Sequence, residues 1–269
     1  MGRDGRDELR KIATELAREA AGVAHAKRRE GVEVAASKST ETDIVTYADQ
    51  LTQAFIKERL AQLRPHDAFF GEEGGAHGGS SGLTWVVDPI DGTVNYLYDI
   101  PQWAVSIAVV EGDPDPATWD ALAGAVCAPA LDELYNASLG GGAFLNQHRL
   151  SVNQQTDLSL ALVGTGFAYG RDLRAHQGEV VAQVLPRIRD LRRIGSCALD
   201  LCGVAAGRLD AFYERDTKPW DHAAGALIAR EAGARVGGVR GEREGQALIM
   251  AANETLYPQL EELLLHLNY

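Results

Sequence analysis

The sequence predicts a mixed α and β protein in two halves, an α+β half over residues 1–150 and an α/β half over residues 151–269. Three observations predict this class. Apolar residues recur at helical spacing near the start of the chain, short β-type runs then follow one another between Gly, Pro and Asp turns, and strand-like and helical runs alternate beyond about residue 159. With 269 residues and 45% hydrophobic content, the chain can bury a substantial core.

Two helices are predicted in the first half. The first follows Asp7, a plausible cap, and ends near the basic KRREG. Its apolar repeat consists of Leu9, Ile12, Leu16, Ala20 and Val23. The second begins near Thr46 and places Asp49 in its first turn, where an acid also suits the helix dipole. Its buried face is expected to carry Leu51, Phe55, Ile56 and Leu60.

The remaining elements are shorter. Strands are predicted at Trp85–Val87, Val105–Val110, Ala123–Val126 and Glu133–Tyr135. In the second half the strand-like ALVGTGF precedes a helical stretch around Val180–Leu191, and the short apolar DAFYE lies between helices from about Ala198 and Asp221. The patch GGAHGGSSG at Gly74–Gly82 is predicted to be a flexible loop.

The charge balance excludes some partners. The chain carries 26 Lys plus Arg against 38 Asp plus Glu, a net charge of -12. This charge opposes general attraction to nucleic acid or anionic lipid, so neither is expected as a partner. An anionic small substrate would need a local cation, and clustered carboxylates recruit hard cations.

The cysteines and the N-terminal segment point to a cytoplasmic protein. Cys127, Cys197 and Cys202 are an odd set without the spacing of a zinc site or a disulfide framework, which favours a reducing compartment. The opening MGRDGRDELRK lacks the apolar core of a signal peptide, and no run of about 18 apolar residues occurs.

The segment WVVDPIDGTVNY, from Trp85 to Tyr96, holds the strongest chemical signal. A strand delivers Asp88, Pro89 fixes the backbone, and Asp91 follows, so both carboxylates can point to one locus. Two such acids repel, so either one is protonated or a multivalent cation lies between them, and the cation is favoured at pH 7 when both lie in a cleft. The Ile90 carbonyl can add a ligand. An Asp-Pro and Asp-Gly turn between strands is the alternative interpretation.

Three neighbouring features extend this signal. Gly92 and Thr93 open a predicted helical turn, where backbone N–H groups can bind phosphate oxygens. FFGEEGG is another apolar run that ends in paired acids, Glu72 and Glu73. In KPWDHAAGA, Asp221 stands at the head of a helix, where it can cap the helix or complete a metal site.

Together these residues resemble the inositol monophosphatase family of magnesium-dependent, lithium-sensitive phosphatases. The matching pieces are GEEG, WVVDPIDGTVNY, RRIGSCALDL and KPWDHAAGA, with weaker similarity in DIVTYADQ, ELYNASLGGGAFLN, VGTGFAYG and MAANETL. The resemblance covers nearly the whole chain. It implies a layered α-β-α-β-α sandwich of the sugar phosphatase type, with the site between the two halves and commonly a homodimer.

The resemblance also implies roles for individual residues. Glu72, Asp88 and the Ile90 carbonyl would hold one Mg²⁺, and Asp88, Asp91 and Asp221 would hold a second. Asp49 would serve a third, weaker ion or orient water with Thr93, and Glu72 can also accept the proton of that water. The expected substrate contacts are Asp91, Gly92, Thr93, Gly195, Ser196, Cys197, Glu214 and Asp221. Lys38 would lie in a mobile hairpin that covers the site.

Other polar and aromatic residues near these motifs have simpler interpretations. Glu73 is expected to be a structural neighbour of the ligand Glu72, and His222 to pack or hydrogen-bond at its helix start. Cys197 is expected to be a small buried thiol. Trp85, Trp103 and Trp220 are expected in the core. The pair Arg192 and Arg193 could attract phosphate or form a surface ion pair.

The resulting hypothesis is Mg²⁺-dependent hydrolysis of inositol monophosphate by a metal-activated water, with two or three ions and with Li⁺ as an inhibitor. Fructose bisphosphate, histidinol phosphate and nucleotide 3′-phosphates are substrates of related enzymes. Val94-Asn95 after DPIDGT, together with Glu214, favours inositol phosphate among them. A regulatory binding protein with incidental phosphatase activity is the alternative of another class.

Overall fold

A computed structural model describes residues 1–32, 34–37 and 44–269. Over these residues the chain forms seven α-helices. They are α1 (Arg3–Glu30), α2 (Tyr47–Leu63), α3 (Thr93–Leu97), α4 (Arg171–Val184), α5 (Cys197–Ala205), α6 (Pro219–Glu231) and α7 (Leu256–His266). Short 3₁₀ turns lie at Pro129–Leu131, Leu158–Leu160 and Leu185–Arg187. No helix in the described ranges combines the length and the apolar character that spanning a membrane requires.

The strands of the first half form a pair and a large sheet. The pair joins β1 (Val34–Ser37) to β2 (Ile44–Thr46). The large sheet contains β3 (Ala68–Gly71), β4 (Gly75–His77), β5 (Leu83–Asp91), β6 (Ala104–Glu111), β7 (Asp120–Ala128), β8 (Glu133–Ser138), β9 (Gly142–Leu145) and β10 (His148–Arg149). Its strand order is β10-β9-β8-β7-β6-β5-β3-β4, and β3 runs parallel to β5 while the other pairs are antiparallel.

The second half contributes a smaller sheet. Its strands are β11 (Leu162–Thr165), β12 (Asp190–Arg192), β13 (Ala211–Glu214), β14 (Arg235–Gly237) and β15 (Ile249–Ala252), in the order β12-β11-β13-β15-β14. β11 runs parallel to both of its neighbours, and the remaining pairs are antiparallel. The alternation of helix and strand in this half produces the parallel pairs.

The helices and sheets stack in five layers. α1 and α2 cover one face of the large sheet, where Leu16 and Ile56 belong to the same buried apolar cluster as the β6 residue Ile107. α5 and α6 fill the space between the two sheets in a second core. α4 and α7 cover the outer face of the small sheet, where Val180 and Leu260 are fully buried. This α-β-α-β-α order confirms the predicted sandwich.

Small residues allow the central layer to pack closely. A Cβ placed on Gly225 of α6 would lie 2.9 Å from the Cβ of Leu201 in α5. A Cβ on Gly124 of β7 would lie 3.1 Å from the Cα of Ala224. These separations are too short for an added side chain, so α6 is pressed against both neighbours. The segment HAAGALIA therefore has a packing function in addition to placing Asp221 at its head.

Three predicted elements differ from the structure. Leu51 is 47% exposed, and the prediction that it is buried was wrong, because the inner face of α2 carries Asp49, Gln53 and Ile56 instead. The patch at Gly74–Gly82 contains β4, which pairs with β3. The helix predicted around Val180–Leu191 ends at Val184, since Pro186 cannot continue it, and the chain then forms the edge strand β12.

The division into halves near residue 150 stays a prediction. β3 to β10 precede that residue and β11 to β15 follow it. The core between the sheets contains residues of both parts, for example Val126 of β7 and Phe212 of β13. The two sheets are thus joined by one shared apolar layer.

We expect Gly225→Ala to destabilise the protein by about 1–3 kcal/mol, because the new methyl group overlaps Leu201 in a layer that cannot expand. Gly178→Ala, in the exposed middle of α4, meets no atom within 4 Å and should stabilise by about 0.5–1 kcal/mol through helix propensity. Urea denaturation of both variants tests the pair. Equal effects of the two substitutions would contradict the close packing of α6.

Candidate active site

A cleft of about 550 Å³ lies where the end of β5 meets the first turns of α5 and α6 and the end of β13. Its size suits a small molecule. The predicted site residues that line it are Glu72, Asp88, Ile90, Asp91, Gly92, Thr93, Gly195, Ser196, Cys197, Glu214 and Asp221. Asp49 does not line the cleft, but it contacts Thr93, which does. Lys38 falls outside the described residues. The structure thus brings together residues from three separate parts of the sequence.

A bulge at the end of β5 presents the first acids. The register with β6 shifts between Asp88, which faces Ser106, and Asp91, which faces Ala104, so β5 has one residue more than its partner. Pro89 lies inside this bulge, a position where a strand tolerates the missing N–H. The strand therefore continues to Asp91 and does not end in a turn at Asp88. Asp88 Oδ1 accepts a hydrogen bond from Ile90 N at 3.0 Å.

Backbone and side-chain contacts fix Glu72 beside this bulge. The Glu72 N–H donates to the Val87 carbonyl at 3.2 Å, which continues the parallel pairing of β3 with β5. Gln53 of α2 holds the next residue, because its Oε1 accepts from Glu73 N at 2.8 Å and its Nε2 donates to the Glu73 carbonyl. Glu73 thus has the structural role expected for it.

The first turn of α5 holds Asp91. Asp91 Oδ2 accepts hydrogen bonds from Ser196 Oγ at 2.6 Å and from Ala198 N at 2.7 Å. Ser196 is also the N-cap of α5, since its Oγ accepts from Leu199 N at 3.3 Å. One serine therefore starts a helix of the second half and anchors an acid of the first.

Asp221 and Asp49 each combine a capping role with a place at the site. Asp221 Oδ2 accepts from Lys218 N at 2.7 Å at the start of α6. Asp49 Oδ2 accepts from Thr46 N at 2.8 Å and from Thr46 Oγ1 at 2.6 Å, in a capping box. Asp49 Oδ1 lies 3.3 Å from Thr93 Oγ1, which also lies 3.0 Å from the Ile90 carbonyl. Capping and site functions are therefore compatible.

Gly92 connects the two halves of the cleft. Its φ of 93° is in the left-handed region that favours glycine. A Cβ at this position would lie 3.1 Å from the Gly195 carbonyl, so the backbone segments touch. Asn95 Nδ2 reinforces the junction by donating to the Ile194 carbonyl at 2.7 Å. The sequence pattern gave Asn95 no such role, because its partner is 99 residues away.

Two carboxyl groups lie over the glycines of VGTGF at the other end of the cleft. A side chain on Gly166 would collide with the Glu214 carboxylate, and a Cβ on Gly164 would lie 2.8 Å from Asp200 Oδ1. Asp200 lines the cleft, is 1% exposed and has no hydrogen bond to Oδ1 among the described residues. We did not predict Asp200. The available signal was a lone acid in CALDLC, a segment that is otherwise apolar or small.

Burial and mutual repulsion raise the pKa values of these acids. Burial raises the pKa of Asp91 to about 6, although Ser196 and Ala198 donate to it. Burial, then the charges of Asp91 and Glu72, raise the pKa of Asp221 well above its ordinary value. Burial raises the pKa of Glu214 to about 8. Without a counter-cation, the cleft therefore resists full ionisation.

The neighbouring residues mostly follow their simpler interpretations. Burial raises the pKa of the Cys197 thiol, so this thiol is not a reactive nucleophile. His222 is 1% exposed and packs near the Trp119 ring, and neither ring nitrogen has a hydrogen-bond partner among the described residues. Arg192 pairs with Asp190 at 2.6 Å. Arg193 lines the cleft and has no ion pair within the described part of the chain.

The aromatic residues differ from one another. Trp85 and Trp103 are in the core, as expected, with exposures of 1% and 3%. Trp220 lines the cleft and is only partly buried, so its assignment to the core was incomplete. Its ring packs edge-on against Phe70 at 5.3 Å. Trp220 therefore forms part of the wall next to Asp221.

The donor set is that of a hard cation. Carboxylate and carbonyl oxygens from Glu72, Asp88, Ile90, Asp91 and Asp221 face one cleft. Within the described residues, no group of three or more His, Cys, Asp or Glu side chains is arranged so that it could hold a metal ion. Mg²⁺ does not need one, since it keeps several waters and binds through one or two carboxylates plus substrate phosphate. The oxygens present therefore fit Mg²⁺ better than a metal that requires a full protein shell.

Comparisons with known proteins show the family to which the chain belongs. A sequence model of the inositol monophosphatase family matches residues 5–267. An inositol-1-monophosphatase of Mycobacterium bovis is 48% identical over 85% of this chain and 83% of its own length. The solved structure of Mycobacterium tuberculosis SuhB superimposes with a TM-score of 0.83 at 44% identity and covers 97% of both chains. The Nus factor SuhB of Xylella fastidiosa is 40% identical over 74% of this chain and 70% of its length.

We expect the protein in chelator to lose stability as the pH rises from 6.5 to 8.5. The folded state raises the pKa of Glu214 to about 8, so it binds more protons than the unfolded chain across this interval, and unfolding becomes easier as they leave. Asp91, with a pKa of about 6, acts in the same direction at lower pH. His222 acts oppositely, because burial lowers its pKa to about 4, but only below about pH 6.5.

Thermal melts in EDTA at the two pH values measure this effect. Glu214→Gln is the control, and it should flatten the decline because it removes the group that titrates near pH 8. Added Mg²⁺ should raise the melting temperature more at pH 8.5 than at pH 6.5. A melting temperature that is constant across the interval in chelator would contradict the electrostatic account.

Proposed function

Because the chain belongs to the inositol monophosphatase family, we propose that it hydrolyses inositol monophosphate to inositol and phosphate in a Mg²⁺-dependent reaction. One observation carries the proposal. The acids Asp88, Asp91 and Asp221, the backbone turn at Gly92 and Thr93, and Glu214 all line one cleft. A phosphate on its cations would lie at the acids and the turn, here called the phosphate end, and a polyhydroxylated ring would lie on Glu214, here called the ring end.

In this proposal the ligands divide into two sets that share Asp88. Glu72, Asp88 and the Ile90 carbonyl would hold one Mg²⁺, and Asp88, Asp91 and Asp221 would hold the other. Bound Mg²⁺ supplies positive charge that acidifies water and stabilises the negative charge on the phosphate and the leaving alkoxide. Ser196 and Ala198 donate hydrogen bonds that orient the Asp91 carboxylate. These bonds also favour its anionic form, which is the form that binds a metal.

Thr93 and Asp49 guide the proton of the attacking water. The Thr93 hydroxyl has one proton and two acceptors in reach, Asp49 Oδ1 and the Ile90 carbonyl. If the carbonyl serves as a ligand, the hydroxyl donates to Asp49, and its lone pairs can then accept a hydrogen bond from water. Asp49 can thus serve the water through Thr93 or take part in a third, weaker metal site. Glu72 is the other candidate acceptor for the proton.

The ring end of the cleft consists of Glu214 and the loop before α5. The Glu214 carboxylate can bind adjacent ring hydroxyls, and the backbone of Gly195, Ser196 and Cys197 lies beside it. The Gly92 and Thr93 backbone would bind the phosphate oxygens.

The substrate assignment rests on two features of the sequence. Val94-Asn95 follows DPIDGT, where nucleotide and histidinol enzymes often carry Lys, and Glu214 suits a polyol. Fructose bisphosphate and histidinol phosphate are the alternative substrates. Inhibition by Li⁺, a homodimeric assembly and a cytoplasmic location are further parts of the proposal, which the family membership supports.

A second candidate function is a regulatory binding role on a phosphatase scaffold. Its support is the similarity to a relative named as a Nus factor. The acids of the cleft argue against a loss of catalysis, because a chain without catalysis has no need to hold Asp88, Asp91 and Asp221 in one cleft, where burial and like charges raise the pKa values of Asp91 and Asp221. The two functions are compatible in one protein.

The first test replaces the shared ligand. We expect Asp88→Asn to lower phosphate release at saturating Mg²⁺ by at least about a thousandfold, since a metal site supplies several kcal/mol of charge stabilisation. Phosphate release from inositol, fructose, histidinol and adenosine phosphates, with Mg²⁺ and with added Li⁺, should favour inositol phosphate in the unmodified protein.

Asp67→Asn is the matched control for this substitution. Asp67 is also buried, with a side chain 2% exposed, but it pairs with Arg64 and Trp85 outside the cleft. Its replacement should lower the melting temperature and leave turnover in place. Near-normal turnover of Asp88→Asn would reject the shared ligand, and activity on none of the four phosphates would reject the function.

The second test addresses ring recognition. Glu214→Gln should lower kcat/KM for inositol phosphate by at least about tenfold, because hydrogen bonds to a charged group are strong. An aryl phosphate such as 4-nitrophenyl phosphate has no ring hydroxyls and should lose much less. Equal losses of kcat/KM on the two substrates would show that Glu214 does not bind the hydroxyls of the ring.

A further inference from the structure

Tyr269 contacts both residues that flank Glu214. Its ring meets the Tyr213 ring edge-on with centroids 5.2 Å apart. The Arg215 guanidinium lies over the Tyr269 ring, with Cζ 5.5 Å from the ring centroid. Arg215 Nε also donates to the Ala247 carbonyl at 3.0 Å, which fixes the guanidinium. Tyr269 therefore contacts the residues before and after Glu214 in the chain, at the end of β13 that carries this carboxylate.

A hydrogen-bonded chain links the same tyrosine to the opposite wall of the cleft. Gln177 of α4 is fully buried, its Nε2 donates to the Tyr269 hydroxyl at 3.2 Å, and its Oε1 accepts from Ala168 N at 2.9 Å. Ala168 lines the cleft in the loop that begins at Gly166. Gly166 is the glycine against which the Glu214 carboxylate packs. Tyr269 thus contacts the strand that carries Glu214 and, through Gln177, the loop on which Glu214 lies.

A second tyrosine in the same layer shows what simple packing looks like. Tyr257 of α7 is 1% exposed, donates its hydroxyl to the Gly238 carbonyl at 2.5 Å and has Arg235 over its ring at 4.0 Å. It combines the same kinds of contact, an Arg over the ring and a hydroxyl hydrogen bond, but none of its partners lines the cleft. Tyr269, in contrast, contacts the residues before and after Glu214 in the chain. Through Gln177 it also reaches the loop against which Glu214 packs.

We propose that Tyr269 is a positioning residue for substrate specificity, which sets the position of Glu214 relative to the loop at Gly166–Ala168 and so tunes recognition of a polyhydroxylated ring. The inference rests on the ring-binding role proposed for Glu214. It predicts that substitutions of Tyr269 change the affinity for the substrate ring but not the rate of phosphate hydrolysis. The contacts of Tyr269 do not include the acids of the phosphate end.

The experiment compares Tyr269→Leu and Tyr269→Phe with the unmodified protein. The leucine removes both ring contacts and should raise KM for inositol 1-phosphate about tenfold. The phenylalanine keeps the ring and loses only the bond to Gln177, so KM should rise about threefold. The kcat for inositol 1-phosphate and the kcat/KM for 4-nitrophenyl phosphate should stay within about twofold for both variants.

Hydrogen exchange supplies a readout that does not depend on activity. In both variants the amide of Ala168 should exchange faster, because Gln177 loses the partner that holds it in place. Tyr257→Phe is the matched control, and it should lower stability without changing exchange at Ala168 or KM for inositol 1-phosphate.

The outcomes separate this inference from the proposed function. Unchanged exchange at Ala168 together with an unchanged KM would overturn the inference, and so would equal losses on both substrates. Faster exchange with a selective rise in KM supports it. If the unmodified protein does not hydrolyse inositol 1-phosphate, the proposed function fails, and the exchange at Ala168 still decides whether Tyr269 braces this wall.

Discussion

Mutual repulsion among buried acids is the constraint on which the rest of the structure depends. Asp88, Asp91 and Asp221 line one cleft and Asp49 lies behind Thr93 in its wall, and burial with like charges raises the pKa values of Asp91 and Asp221. Each one nevertheless has a donor supplied by the end of a secondary-structure element: a capping box, a bulge or a helix N-terminus. Backbone N–H groups at such ends have no partner inside their own element. These backbone N–H groups need a hydrogen-bond acceptor in any case. The fold gives them the carboxylates of the site, and so holds together acids that would otherwise separate.

This constraint explains why the site lies between the sheets. The ends of α5 and α6 can reach the bulge of β5 only if the central layer is thin, and the glycines at 124 and 225 make it thin. Gly92 and Gly195 then allow the two backbone segments to touch. The shared core of the two halves is thus a requirement of the site, because Asp91 comes from one half and its donors Ser196 and Ala198 come from the other.

The sequence predicted the layered fold, through family resemblance, and the composition of the cleft. The layered fold is confirmed, and the roles assigned to the cleft residues stay predictions. The signal for these residues is local, because DPIDGT combines acids, a proline and a glycine within six residues. Features that depend on distant partners were missed. Leu51 is exposed because Asp49 turns α2 toward Thr93, β4 forms because β3 offers an edge, and Asp200 is meaningful only where α5 meets the glycines of β11. Periodicity does not encode such contacts.

The same distinction separates the two ends of the cleft. Most residues at the phosphate end lie between Glu72 and Thr93, in one stretch of chain whose geometry β3, β5 and the bulge fix together. The ring end is assembled from the loop after β11, the loop before α5 and the end of β13, which have no common element. In the proposed function, substitutions of Glu214 or in the loop after β11 can therefore change which alcohol is bound without moving a carboxylate at the phosphate end, whereas Ser196 of the loop before α5 also holds Asp91. That is the physical reason why the sequence indicates phosphate chemistry more sharply than the identity of the substrate.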